Sequence, residues 1–273
     1  MLHSLSIPYE IVSVEKRCLL VVPEQAIEKA KYELWQYDTE NIKPKIVSPS
    51  IKVKYQNGIS GVTAYVFTIC LVAWLAGEAT FDADWFAAGR IDGSLIRDGE
   101  WWRSITALTL HSGLRHLVGN IGFGVLFGLL AGSLAGSGVA WLTILLAGAT
   151  GNLLNTVLLD STHRSIGAST AVFAALGLVA GFSWRARLMS QERWPYRFGP
   201  IVGGIALLAY TGTGDENTDI GAHLSGFVCG FGGGMLLTFI VDYLPERRIQ
   251  LGAGIAAIML VTLAWIVQLG VSA

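Results

Sequence analysis

The chain has 273 residues, of which 52% are hydrophobic and only 14% charged, with a mean hydropathy of +0.53; soluble domains carry about 25% charged residues, so an ordinary soluble protein is excluded. A formal net charge of −1 gives no support for nucleic-acid binding. The three cysteines, Cys18, Cys70 and Cys229, lie far apart without metal-ligand spacing, two of them in apolar segments, and read as free buried thiols rather than a disulfide framework.

Residues 1–57 read as a small cytosolic α+β domain that ends in a basic linker. The first 20 residues hold Glu10 and Glu15 and no long apolar core, so no cleavable signal peptide is expected. Residues 9–14 and 18–22 have strand character, and Pro23 with Glu24 opens a helix to about residue 37. On that helix Ile27, Ala30 and Leu34 form an apolar face, with Lys29, Glu33 and Gln36 opposite. Residues 42–57, with two prolines and Lys43, Lys45, Lys52 and Lys54, approach a membrane. The domain reads as a regulatory or stabilising appendage without chemistry.

From Gly58 the chain becomes a series of apolar segments, at 59–77, 114–135, 138–159, 169–184, 198–212, 220–241 and 251–270. Most reach the ~20 residues that cross a ~30 Å hydrocarbon core. The fold class is therefore an all-α polytopic membrane protein, with a transmembrane core over 58–242 and an additional C-terminal transmembrane helix within 243–273. Basic residues set its orientation. Arg185, Arg187, Arg193, Arg197, Arg247 and Arg248 lie in loops on the side of the lysine-rich linker, whereas 213–219 holds Asp215, Glu216 and Asp219 without Lys or Arg. Arg90, Arg97, Arg103 and Arg164 weaken the bias without reversing it. The N-terminus is expected in the cytoplasm and the C-terminus outside.

Three polar stretches then fall at the outer ends of apolar helices. Ser169 opens the fourth span, which runs to Trp184-Arg185. Fifteen steps at ~1.5 Å cover roughly 22 Å, so a serine in a span pinned at its inner end lies below the outer surface. A serine at such a place ordinarily caps its helix. Its company makes it a candidate nucleophile: the N–H groups of a helix start can hold a developing oxyanion, and Gly167 allows a tight entry. His223 opens the sixth span and is the candidate base, since a serine hydroxyl is a weak nucleophile until a base takes its proton. Gly226 and Gly230 follow on its face and would let the fourth span, through Ala174 and Gly177, come close. His116 and Asn120 stand at i and i+4 at the start of the second span, where both can donate to an oxyanion. His111 reads as a loop or supporting anchor. Asp219 could orient His223, but capping the sixth helix is its simpler role.

The runs Glu100-Trp101-Trp102-Arg103, His111 to His116 to Asn120, Gly151-Asn152, Gly167-Ala168-Ser169 and Ala222-His223 with Gly226 and Gly230 resemble, in that order, the rhomboid family of intramembrane serine proteases over roughly residues 60–240. The resemblance implies a six-helix rhomboid core with the last span as a C-terminal addition. It implies Ser169 as nucleophile, His223 as base, and His116, Asn120 and the Ser169 N–H as oxyanion hole, with Trp102, Arg103, His111, Gly167, Phe173, Gly226 and Gly230 in support. It further implies transmembrane protein substrates and a bacterial inner membrane setting in the lipid bilayer, with no cofactor and no metal. The sequence departs from the family's habit in having Thr170 where glycine often follows the nucleophile and Phe173 where tyrosine often packs on the histidine. No glutamate stands between Asn120 and Gly138.

Other chemistries fit less well. No His-Glu-x-x-His occurs, and Gly212-Thr213-Gly214-Asp215 sits in an acidic loop without a second aspartate in a span. Internal repeats or charges deep in spans, as in transporters, are not seen. The alternative is a catalytically inactive rhomboid-like protein that binds membrane clients, for which the serine or histidine should be missing.

Overall fold

The structure is a computed structural model that describes residues 7–14, 17–41, 51–158, 162–186, 202–203, 206 and 219–272. The chain divides into two compact units, Met1–Ile46 and Val47–Ala273.

In the first unit β1 (Glu10–Val14) and β2 (Arg17–Val21) pair as an antiparallel hairpin, from Glu10 opposite Val21 to Val14 opposite Arg17. A 3-10 turn over Glu24–Ala26 leads into α1 (Ile27–Glu40). The apolar face expected on α1 is buried only at Ala30, which packs with Ile7, Val22 and Ala26; Leu34 is exposed and Ile27 only partly covered. The physical reason is size, because one hairpin and one helix supply too little surface to bury a full face.

The second unit contains the membrane helices. They are α2 (Ile59–Gly77), α6 (Leu114–Ala135), α7 (Ser137–Leu158), α8 (Ser169–Ala186), α9 (Ile220–Leu237) and α10 (Arg247–Ser272). Among the described residues, six helices are long and apolar enough to cross a membrane. They coincide with six of the seven expected spans, and the expected span at 198–212 lies almost wholly outside the described residues. Helix α10 begins four residues earlier than hydropathy predicts, because the helix continues through Arg247, Arg248 and Gln250, and Gln250 finds partners in backbone groups of neighbouring helix ends. Cys70 corrects another expectation: it is free but exposed on α2, where an apolar solvent gives a thiol little reason to be covered, and Cys229 is free and half-buried.

Between α2 and α6 the long connecting loop folds into α3 (Trp85–Gly89), β3 (Ile91–Asp92), α4 (Gly93–Arg97) and α5 (Arg103–Thr106). Buried Arg103 organises it. Its Nε donates to Glu100 at 2.6 Å, and its Nη1 donates to the carbonyls of Ala87, Ala88 and Arg90. A guanidinium buried this deeply is stable only because its donors are used. β3 pairs with β4 (Arg164–Ser165), Ile91 opposite Ser165 and Asp92 opposite Arg164, which ties the loop to the strand that precedes Ser169.

Asp92 is buried at this junction and accepts from the Ser94 hydroxyl at 2.6 Å and Arg164 Nε at 3.0 Å. Burial pushes its carboxyl up, but the bonds from Ser94, Arg164 and the Leu95 backbone, with the Arg164 charge, hold it below its ordinary 3.8. A depressed folded value stabilises the fold above the unfolded value and is lost as pH falls through the folded one. Thermal unfolding in detergent should therefore weaken as pH drops below about 4, and Asp92→Asn should flatten that acid limb.

The core is centred on α8, most of whose residues are buried. Ala175, Leu178 and Phe182 pack there with Ala135, Ala140 and Ile144 of α6 and α7. Small side chains allow this, since close helix approach in a membrane depends on Gly and Ala. At the α6–α7 junction, Gln250 of α10 accepts from the N–H groups of Gly138 and Val139 at 2.8 and 3.1 Å and donates to the Ala135 and Leu244 carbonyls at 2.9 and 2.7 Å. Ile51 and Val53 pack against the same core, and the Gln56 N–H donates to the Ser133 carbonyl at 2.9 Å.

Candidate active site

The site is built around the turn that leads from β4 into α8. Gly167 has φ of +136°, a conformation that favours glycine, and its N–H donates to the Ala107 carbonyl at 2.9 Å. The Ala168 carbonyl accepts from the Val172 N–H at 2.9 Å, so Ala168 stands at the cap and Ser169 is the first helical residue. The serine side chain is thus not needed as the cap, and its own N–H is one of the donors a helix start leaves unpaired.

Gly167 also measures how closely the other groups approach. A Cβ placed there would lie 2.8 Å from His116 Nε2 and 3.4 Å from Ser169 Oγ. The imidazole of the second expected span and the serine of the fourth therefore converge on one glycine. Gly167→Ala should reduce any turnover by at least about tenfold, because it combines a strained φ, costing roughly 1–3 kcal/mol, with a collision against His116; progress curves of the variant at saturating substrate check this.

His116 Nδ1 is hydrogen-bonded with Ser112 Oγ at 3.2 Å, and its ring meets the His111 ring edge-to-face at 5.2 Å between centroids. His111 is buried. Burial, followed by the charge of neighbouring His116, pushes its imidazole down to about 4, so it is neutral at pH 7. Asn120 is buried one turn beyond His116, and its amide donates to the His116 carbonyl at 3.0 Å. One of its two N–H donors is thereby used to orient the group. Tyr65 of α2 fixes the same turn by donating to the Asn120 carbonyl at 2.9 Å.

His223 lies in the first turn of α9, 6% exposed. Its ring stacks on Phe173 at 4.6 Å between centroids and 21° between planes. Phe173 is one turn along α8 from Ser169, so the packing expected of an aromatic at this position is present. The Nδ1 atom of His223 has no hydrogen-bond partner among the described residues. At their glycines the two helices bring backbone close to backbone. A Cβ on Gly226 would lie 2.4 Å from the Thr170 carbonyl oxygen, and one on Gly230 would lie 2.0 Å from that of Ala174. From the other side, a Cβ on Gly177 would lie 2.1 Å from the Phe227 carbonyl oxygen. The glycine and alanine surfaces expected on both helices are those in contact.

Asp219 is the cap of α9, accepting from the Ala222 N–H at 2.9 Å. Its carboxylate also accepts from Asn155 Nδ2 at 2.9 Å and is bonded to His163 Nε2 at 2.8 Å. These partners occupy it as a structural tie between the end of α7, the loop before β4 and the start of α9. Asn152 Nδ2 donates to the Ser104 carbonyl at 2.9 Å, and Gly151 lets the Gly226 backbone approach. Arg103 holds the long connecting loop as described, and Trp102 Nε1 donates to Gln268 Oε1 of α10 at 2.8 Å. Sequence reasoning missed Tyr65, Asn155, His163 and Gln268, whose partners lie at least 55 residues away in the chain. The described residues contain no group of three or more His, Cys, Asp or Glu that could hold a metal.

The Rhomboid domain family model matches residues 98–243, a little over half of the chain. Rhomboid protease GluP of Bacillus subtilis (strain 168) is 29% identical over 181 residues, which are 65% of this chain and 35% of that protein. Putative rhomboid protease YdcA of the same organism is 30% identical over 154 residues, 56% of this chain and 73% of that protein. RHOMBOID-like protein 9, chloroplastic, of Arabidopsis thaliana is 30% identical over 141 residues, 50% of this chain and 32% of that protein. The match thus spans about a third of GluP and of the chloroplast protein. With the polytopic helical fold and the matched residues taken together, the chain belongs to the rhomboid family.

Proposed function

We propose that this chain is an intramembrane serine protease that cleaves transmembrane substrates near the outer face of the membrane through a Ser169–His223 dyad. The observation that carries the reading is the convergence of Ser169 Oγ and His116 Nε2 on Gly167 at the start of α8, beside a helix that presents buried His223. A substrate segment that unwinds there exposes a carbonyl to Ser169; an intact helix keeps its carbonyls bonded and shielded. His223 takes the hydroxyl proton as Oγ attacks the carbonyl carbon. The same proton passes to the leaving amine as the peptide C–N bond breaks and the acyl-enzyme forms. Water, deprotonated by His223, then releases the acyl group and restores the serine. The free amide N–H of Asn120, His116 Nε2–H and the Ser169 N–H stabilise the oxyanion. His111 and Phe173 hold the two imidazoles by ring contacts.

The acidic loop before α9 and the arginines after α8 support an orientation with the N-terminus in the cytoplasm and the site outward, in a bacterial plasma membrane. The test is to reconstitute the full chain with a single-span substrate carrying helix-breaking residues at its outer end, and to treat it with a serine-directed fluorophosphonate. Cleavage and covalent labelling at Ser169 are expected. Labelling at another residue overturns the assignment. Capture of intact substrate without cleavage or labelling would favour a non-catalytic client-binding protein.

A further inference from the structure

We infer that α10 is a positioning element of the active site, in which Trp265 and Gln268 hold the long connecting loop that supports the turn before Ser169. Two polar side chains on one face of this apolar helix, at i and i+3, both reach that loop. Trp265 Nε1 donates to Thr109 Oγ1 at 3.0 Å, and Gln268 Oε1 accepts from Trp102 Nε1 at 2.8 Å. Thr109 Oγ1 passes the contact on by donating to the Thr106 carbonyl at 2.7 Å. The next carbonyl, that of Ala107, accepts from the Gly167 N–H at 2.9 Å. Three bonds and one peptide unit therefore connect α10 with the turn two residues before Ser169.

The chemistry of these residues argues against a helix that only adds membrane affinity. Gln268 is fully buried and Trp265 nearly so. A buried amide or indole N–H in an apolar span is unfavourable unless bonded, and such residues in spans mark sites of function or specific packing. A simple anchor is served by Leu and Ile. The loop has adapted in return. Gly89 leaves room for the Trp265 ring, which a Cβ there would meet at 2.4 Å, and Trp85 packs on it at 4.6 Å between centroids. A tryptophan from α10 is thus seated in the loop, with its one polar atom directed at the segment that holds Gly167.

The inference rests on the protease reading for its kinetic arm only. Trp265→Phe keeps an aromatic side chain, though a smaller one, and removes the donor; Gln268→Met keeps the length and removes the acceptor. In proteoliposomes of the full chain each variant should lower kcat by about three- to tenfold with KM unchanged, the scale of one net hydrogen bond. Trp265→Phe combined with Thr109→Val should lose little more than either alone, because both remove one contact. On a Ser169→Ala background, which needs no activity, hydrogen–deuterium exchange of peptides over 163–170 should accelerate in both variants while the inner half of α8 is unchanged. Unchanged exchange there, or exchange raised throughout the membrane unit, overturns the positioning role, as does a loss confined to KM. A wild type that neither cleaves nor labels sinks the protease reading alone, and the exchange arm still decides the role of α10.

Discussion

Ser169→Ala and His223→Ala should each abolish cleavage of a reconstituted transmembrane substrate, lowering turnover by roughly 10⁴-fold or more, the scale of removing a nucleophile or its base in serine hydrolases. The two substitutions differ in what else they disturb. Ser169 is the first residue of α8, one position inside the cap occupied by Ala168, so removing Oγ takes away chemistry and little structure. His223 also covers Phe173, and an aromatic pair of this kind contributes about 0.5–1.5 kcal/mol beyond its burial. His223→Phe separates the two roles by keeping the stack and losing the base. It should unfold near the wild-type temperature and be as inactive as His223→Ala. Measurable cleavage by Ser169→Ala, or by His223→Phe, would remove the dyad from consideration.

The second large effect is expected from a glycine that touches no substrate. A Cβ on Gly230 would lie 2.0 Å from the Ala174 carbonyl oxygen and 2.7 Å from the Ala174 carbonyl carbon. These are backbone atoms, so no rotamer change relieves the overlap and the helices must separate. Overpacking of a close contact costs typically 1–3 kcal/mol, and Gly230→Val belongs at or above the top of that range. Any separation also moves His223 away from the serine helix, so activity should fall further than stability predicts. Gly232, on the same helix, has open space around its missing Cβ. Gly232→Ala should stay within about 0.5 kcal/mol of wild type and keep full activity. Thermal unfolding in detergent and initial rates compare the pair. Equal behaviour of Gly230→Val and Gly232→Ala would show that the α8–α9 contact is looser than the structure describes.

Much of this arrangement is legible in the chain because membranes simplify the reading. Hydrocarbon demands continuous apolar helices, so hydropathy places α2 and α6 to the residue. Glycines at i, i+4 spacing announce the close contact of α8 with α9, since a membrane helix pair has few other ways to approach. The Gly167-Ala168-Ser169 turn is visible because glycine before a helix-starting serine has a specific backbone meaning. What stays hidden depends on distant partners. The amide of Asn120 reads as an oxyanion donor, yet one of its N–H groups is committed to the His116 carbonyl. Asp219 reads as a cap, but nothing in its neighbourhood announces Asn155 or His163. In the first unit the period of α1 predicts a buried face, and the fold there is too small to cover it.

The Gln250 side chain carries one further meaning, which concerns time. It closes the end of α6, the start of α7 and the turn after α9 with one amide group. Unsatisfied backbone groups in a dry environment cost several kcal/mol each. Until Gln250 arrives, those ends must keep water or frayed geometry, and this end of the helices stays open. The helices that carry Ser169 and His223 are synthesised before α10, but this end is sealed only when α10 inserts. A nascent chain therefore reaches this packing only after α10 has followed them out of the ribosome.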